Sequence, residues 1–431
     1  MAKTDEALLQ EVVCTLTDKI GVRLAGSIQE KQAADYLVKT LSEYAPKVWI
    51  EEYPIKEREV IDEFLEVRIN GEWKKFPCSL FSGAPGTGGA LVEAALVNFD
   101  TATGYMQPDL SYLKGKAVVH LGCHIVNEEN YRRLMAAEPA FLLFVDTRHP
   151  GDKPLADGLF PEYVKKHGSR TTLNVAFQDA WQWCAAKADK ARVRVVSQAR
   201  ESTTSVVVAE LPGTDPNAGV IYAGGHHDTQ ANTVGADDNA VGCAAVVGLA
   251  RALSQMPAHR CTFRLCCFGA EEQLSQGSAA YIRRHFDEIR QNGVFMCNFD
   301  SCGSLLGWTE LTINAMPAMS DLVREAFNKK GIYYAETTVP TPYTDQFPFA
   351  ACGVAGLWLN RPNCLAGQFY HHRVDNTPDK LDYGIVAQYV DVCADFLSQL
   401  ANKEDLTALK GIPDDQKIEI AKLADSVYGG F

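Results

Sequence analysis

The chain reads as an α/β protein: a mostly parallel sheet with helices on both faces, interrupted by a smaller inserted α+β or β domain. Three observations predict this. From about residue 203, short apolar runs alternate with helical patterns. The run at 220–223 is apolar throughout and is followed by Gly224-Gly225, as suits a strand buried on both faces. Between residues 60 and 202 the texture changes to short strands separated by turn signals. The expected boundaries are therefore 1–59 with 203–431 for the larger domain and 60–202 for the insert.

The elements follow in order. Leu8, Leu9, Val12, Val13 and Leu16, then Ala33, Ala34, Leu37 and Leu41, recur at helical spacing on either side of a turn at 21–26. Residues 48–53 read as a strand. Asn70-Gly71 between 64–69 and 72–76 is a hairpin signal, because both residues accept the positive φ of a primed turn. The glycine-rich stretch 83–89 lacks the Lys-Ser/Thr of a phosphate-binding loop and reads as a connector. Strands are expected at 90–97, 116–121, 141–145 and 192–196, with helices at 130–136 and 178–187. His120, His124, His149 and His167 are scattered through this region and read as structural. Beyond it the expected strands are 205–209, 220–223, 262–268, 294–299 and 354–359. The expected helices are 239–254, 278–289, 320–330 and 385–400, with a short amphipathic one at 414–427.

Bulk properties narrow the function. A net charge of −13 and a pI near 5.3 argue against nucleic acid or an anionic membrane as partner. No run reaches the length of a membrane span, and no basic, apolar leader opens the chain. The 13 cysteines contain no C-x-x-C pair, and there is no glycosylation sequon. They read as buried small hydrophobes in a reducing compartment, so a cytoplasmic location is expected.

The chemistry gathers at strand ends. His226 and Asp228 lie two apart at the end of a strand and aim together, while His227 aims away. Asp237 and Asp238 sit on the turn into an apolar helix. Glu271 and Glu272 follow the strand at 262–268, Asp300 follows 294–299, and His371, His372 and Asp375 precede the last long helix. In this topology strand ends converge on one rim. Bare, these acids would repel one another, and two divalent cations would satisfy them. The ligand set suits zinc, with manganese or cobalt as substitutes.

The order His-x-Asp, Gly-Ala-Asp-Asp-Asn-Ala, Gly-Ala-Glu-Glu, Asn-Phe-Asp, Tyr-His-x-x-x-Asp resembles the co-catalytic di-zinc aminopeptidase family. That family includes the bacterial leucyl aminopeptidases, the streptomycete aminopeptidase and yeast aminopeptidase Y. The similarity covers residues 203 to about 400 and the N-terminal Arg23-Leu24-Ala25-Gly26-Ser27. The insert resembles, more loosely, a protease-associated domain.

The resemblance implies two zinc ions per chain and a peptide substrate with a free N-terminus. Asp237 would bridge the metals, His226 and Asp300 would hold one, and Glu272 and His371 the other. Glu271 would be the general base, Asp228 would orient His226, and Tyr370 would stabilise the oxyanion. His371 is favoured over His372 because it leaves Asp375 four residues on. The family's non-proline cis peptide would fall at Asp237–Asp238. The chain departs from the pattern at Val241, where a serine is usual, and at Gln346, where a histidine is usual. The function expected is hydrolytic release of N-terminal amino acids. The alternatives are a one-zinc, glutaminyl cyclase-like aminoacyltransferase and a non-catalytic binding protein on the same fold. Dipeptidase and carboxypeptidase specificities stay open.

Overall fold

The computed structural model describes residues 3–125, 127–148, 150–365 and 367–431; His149 lies outside them. The chain forms two compact units. The larger comprises Met1–Ile55, Ser202–Gln368 and Val374–Phe431, the smaller Lys56–Glu201 with Phe369–Arg373. The expectation put 369–373 in the larger domain, whereas this pentapeptide goes with the smaller unit. Arg373 explains it: its guanidinium reaches the Lys153 carbonyl at 3.3 Å and the Asp146 carboxylate at 3.6 Å.

In the larger unit the sheet order is Tyr334–Thr337, Thr309–Asn314, Ala355–Asn360, Gly293–Phe299, Val220–His226, Thr262–Phe268 and the end of Lys190–Leu211. Val220–His226 lies parallel to both Thr262–Phe268 and Gly293–Phe299, which puts it at the centre. Antiparallel pairing occurs where Thr309–Asn314 meets Ala355–Asn360 and where Thr262–Phe268 meets the long strand.

Alternation along the central strands builds two cores. Ile221, Ala223, Leu265 and Cys297 face one, against Val241–Ser254, Glu6–Cys14 and Tyr383–Ala401. Tyr222, Cys266, Phe268 and Met296 face the other, with Tyr281 and Phe349. Both faces are covered, which is why these strands are predominantly apolar. Among the described residues no helix is long and apolar enough to cross a membrane.

The smaller unit carries parallel strands Val92–Asp100, Ala117–Leu121, Phe141–Val145 and Thr172–Val175 around Leu143, Val145 and Trp183. Its hairpin pairs Ile69 with Glu72, and Asn70 and Gly71 take φ of 53° and 84° in the turn. His120 is structural: burial lowers its pKa to about 4, and it stacks on Phe144 at 4.3 Å.

Candidate metal centre

Parallel registry sets the rim. Phe268 lies beside His226 and Asn298 beside Gly224. The residues just beyond these strands, Glu271 and Asp300, therefore end at the same level as His226. Four groups then meet on one imidazole. His226 Nε2 is 3.1 Å from Asp238 Oδ1, 3.6 Å from Asp300 Oδ1 and 3.8 Å from Glu271 Oε2. Its Nδ1 is 3.4 Å from Asp228 Oδ1. All of these groups are buried, and neither ring nitrogen of His226 has a hydrogen-bond partner. His226, Asp238 and Glu272 each offer a ligand atom within 4.8 Å of the others.

The expectation placed Asp237 in this position. Asp238, not Asp237, faces His226. Asp237 is turned into the protein, where its Oδ1 accepts the Gly303 N–H at 2.7 Å and its own N–H donates to Asn376 Oδ1 at 2.8 Å. The non-proline cis bond is at Asp238–Asn239 rather than Asp237–Asp238. Asn239 anchors the turn by donating to the Phe299 carbonyl at 2.8 Å and accepting the Gly242 N–H at 2.9 Å.

Glu271 and Glu272 occupy a single helical turn between residues with left-handed backbone, Ala270 before it and Leu274 and Ser275 after it. Such conformations cost L-residues roughly 1–2 kcal/mol each, so something must hold the turn. Asp228 does: its two carboxylate oxygens accept the Glu271 and Glu272 N–H groups at 3.0 and 3.1 Å. Gln230 secures Glu272 from the other side, donating its backbone N–H to Oε1 at 3.2 Å and its amide to the carbonyl at 2.9 Å. Ser275 Oγ donates to Glu271 Oε1 at 3.0 Å. One Glu271 oxygen is thus pinned while the other, Oε2, faces His226.

The electrostatics follow from crowding. Burial pulls the His226 pKa down, but Asp228, Asp238 and Asp300 outweigh it and raise the value well above normal. Burial raises Glu271 strongly; His226 opposes this, while Asp345, Asp300 and Glu272 add to it. His227 points away from the cluster and is buried, which lowers its pKa to about 4.

Asp345 is not among the expected site residues. It is fully buried, neither carboxylate oxygen has a hydrogen-bond partner, and burial raises its pKa to about 7, against the opposing charge of His226. It stands in the stretch Thr344-Asp345-Gln346, where the motif singles out Gln346 alone. Gln346 itself is interior, accepting the Asn298 amide at 3.0 Å.

Tyr370, His371 and His372 lie in the pentapeptide that goes with the smaller unit. Tyr370 is buried and packs edge-on against Phe369 at 4.8 Å. The two imidazoles stack at 3.7 Å. His372 is held within its unit: its carbonyl accepts the Ala156 N–H at 2.9 Å, and its Nδ1 is 3.9 Å from Asp157.

The helix-covered parallel sheet thus carries, at the end of its central strand, a buried imidazole among carboxylates, a donor set that suits a divalent cation. Residues 206–397 match the sequence profile of peptidase family M28. The chain is 21% identical over 375 residues to aminopeptidase YwaD of Bacillus subtilis, covering 84% of this chain and 78% of that protein. Among solved structures it is similar to a peptidase M28 precursor from Shewanella amazonensis, with a TM-score of 0.80, 20% identity and coverage of 94% and 95%. It is also similar to a zinc aminopeptidase from Bacillus subtilis, with a TM-score of 0.76, 16% identity and coverage of 95% and 98%.

Proposed function

We propose that this chain is a zinc aminopeptidase that releases N-terminal amino acids from peptides. One observation carries the reading: His226 is sealed from solvent, both its nitrogens lack hydrogen-bond partners, and carboxylates surround it. Buried polar atoms rarely stay unsatisfied, and a divalent cation would satisfy the imidazole and the acids together. His226, Asp238, Asp300 and Glu272 would hold the zinc, two ions in all. The order of sequence motifs, rather than distance, assigns the remaining imidazole to His371.

When bound, zinc polarises the scissile carbonyl and lowers the pKa of water. The protein's own groups do the rest. Asp228 holds the turn that presents Glu271. Ser275 fixes one Glu271 oxygen, leaving the other to take a proton from the attacking water and return it to the leaving amine. Tyr370, placed by the same motif order, would donate a hydrogen bond to the developing oxyanion. The similarity to aminopeptidase YwaD and to a zinc aminopeptidase supports both the activity and the zinc. A cytoplasmic setting fits the cysteines, most of which are buried in the apolar interior.

The test is a panel of aminoacyl chromogenic amides with free and N-acetylated amines, assayed with chelator and after zinc is restored. Cleavage of the free-amine substrates alone, lost on chelation and recovered with zinc, is expected. Preference for blocked substrates would overturn the exopeptidase reading. Cyclisation of N-terminal glutamine with one zinc per chain would favour the transferase.

A further inference from the structure

The motif Arg23-Leu24-Ala25-Gly26-Ser27 has no part in the chemistry above, yet Arg23 is completely buried. Its five acceptors are backbone carbonyls. Nε donates to His227 O at 2.7 Å, and Nη2 to Gly235 O at 3.3 Å. Nη1 reaches Val234 O at 2.9 Å, Gly21 O at 2.8 Å and Leu16 O at 2.9 Å. The main chain of Arg23 is tied to the same place. Its N–H donates to Thr229 Oγ1 at 2.9 Å, its carbonyl accepts the Thr229 N–H at 3.1 Å, and Leu24 bridges in parallel to Thr229.

These acceptors are specific in position. His227 stands between His226 and Asp228. Val234 and Gly235 open the turn that carries Asp238, and Gly235 has a φ of 53°. A Cβ added at Gly235 would meet the Asp238 carbonyl oxygen at 2.2 Å, so this backbone has no room to drift. One planar fork therefore spans the two loops whose side chains, His226 and Asp238, stand 3.1 Å apart. Guanidinium suits this task because its donors are coplanar and fixed; an ammonium is a single point with three donors and cannot bridge acceptors so arranged. The charge matters too. Burial lowers the Arg23 pKa to about 10, which leaves the group protonated beside an acidic cluster, and Asp228, Glu272 and Asp238 all favour its charged form.

We infer that Arg23 is a positioning residue of the metal centre: it sets the separation of the His226 and Asp238 loops and thereby the affinity for zinc. The inference rests on the metallopeptidase reading. A purely structural arginine would lower the stability of the metal-free and metal-loaded protein alike. A positioning arginine must alter the difference between them.

The experiment compares full-length wild type with Arg23→Lys, which keeps the charge and loses the fork. Bound zinc is measured by elemental analysis across chelator-buffered free zinc, and the melting temperature is read with and without zinc. The expected result is a half-saturating zinc concentration raised at least tenfold and a smaller zinc-induced rise in melting temperature. Thr229→Val, which keeps the guanidinium but removes the hydroxyl acceptor, guards against misfolding of Arg23→Lys. It should shift the half-saturation in the same direction, two- to fivefold. If the folded variants bind zinc as wild type does, while melting temperatures fall equally with and without metal, the inference is overturned. A wild type that binds no zinc instead overturns the metal reading beneath it.

Discussion

Replacing Asp238 and Asp237 one at a time separates the proposed metal ligand from a structural acceptor one residue away. The Asp237 carboxylate is fully buried and accepts the Gly303 N–H at 2.7 Å. Asp237→Ala strands that donor and should cost about 1–3 kcal/mol, or about 2–4 °C in melting temperature per kcal/mol. Asp237→Asn keeps an oxygen in place, so its cost should be at most about half as large, and zinc content should be unchanged. Asp238→Asn removes the carboxylate 3.1 Å from His226 Nε2. Neutral amide oxygen is a poor zinc ligand, since zinc is bound chiefly by thiolate, imidazole and carboxylate. Asp238→Asn should therefore lose zinc and turnover while remaining folded. Elemental analysis after gel filtration, circular dichroism and calorimetry read all three quantities. A zinc-replete, active Asp238→Asn beside a zinc-free Asp237→Asn would refute the geometric assignment and restore the one drawn from the motif.

Other perturbations probe different parts of the molecule. Glu271→Gln should retain its zinc but lose roughly 10²–10⁴ in kcat, and a variant with normal kcat would remove Glu271 from the mechanism. Prolonged dialysis against a strong chelator should abolish activity and lower the melting temperature, because ligand binding stabilises only the folded chain; an unchanged melting curve would count against a bound metal. Glu51 gives a pH prediction: burial acts to raise its pKa, but hydrogen bonds from His285, Trp49, Tyr53 and Arg284 prevail and hold it at about 2. Its stabilisation is complete above the unfolded value near pH 4.5 and is lost as pH falls toward about 2. Glu51→Gln should destabilise the protein near pH 7 by about 1–2 kcal/mol after solvent screening and flatten the acid limb of its melting-temperature profile; a parallel limb would refute this.

The sequence made legible what periodicity governs. Thr262–Phe268 and Phe141–Val145 lie at their expected bounds because apolar runs of strand length ended in clear turn signals. His226 and Asp228 share a face, and His227 opposes them, because strand side chains alternate. Other elements lacked such a signal. Thr309–Asn314 and Tyr334–Thr337 are strands beyond those expected; the second is partly exposed at the sheet edge and short of apolar residues. The strands Lys47–Ile69 and Lys190–Leu211 run far past their expected lengths because charged residues continue on exposed positions.

Asp237 and Asp238 mark where periodicity ends. They lie on a connection where Asp238 has φ −124° and ψ 85° and Asn239 φ −141° and ψ 46°, values belonging to no repeating element. With no period, adjacent carboxylates cannot be ranked by which way they point, and the motif alone admits either. What decides between them is tertiary. Gly303 and Asn376, distant in sequence, supply a donor and an acceptor that claim Asp237, and Asn239 clamps the far end of the turn to Phe299. Asp345 belongs to the same class: only the packing around it seals it, and no local pattern announces that a buried acid stands there. The chemistry of this rim is thus written in two scripts. Strand ends bring the groups to one level, and the hydrogen bonds of irregular loops, with Arg23 foremost among their donors, choose which of them face inward.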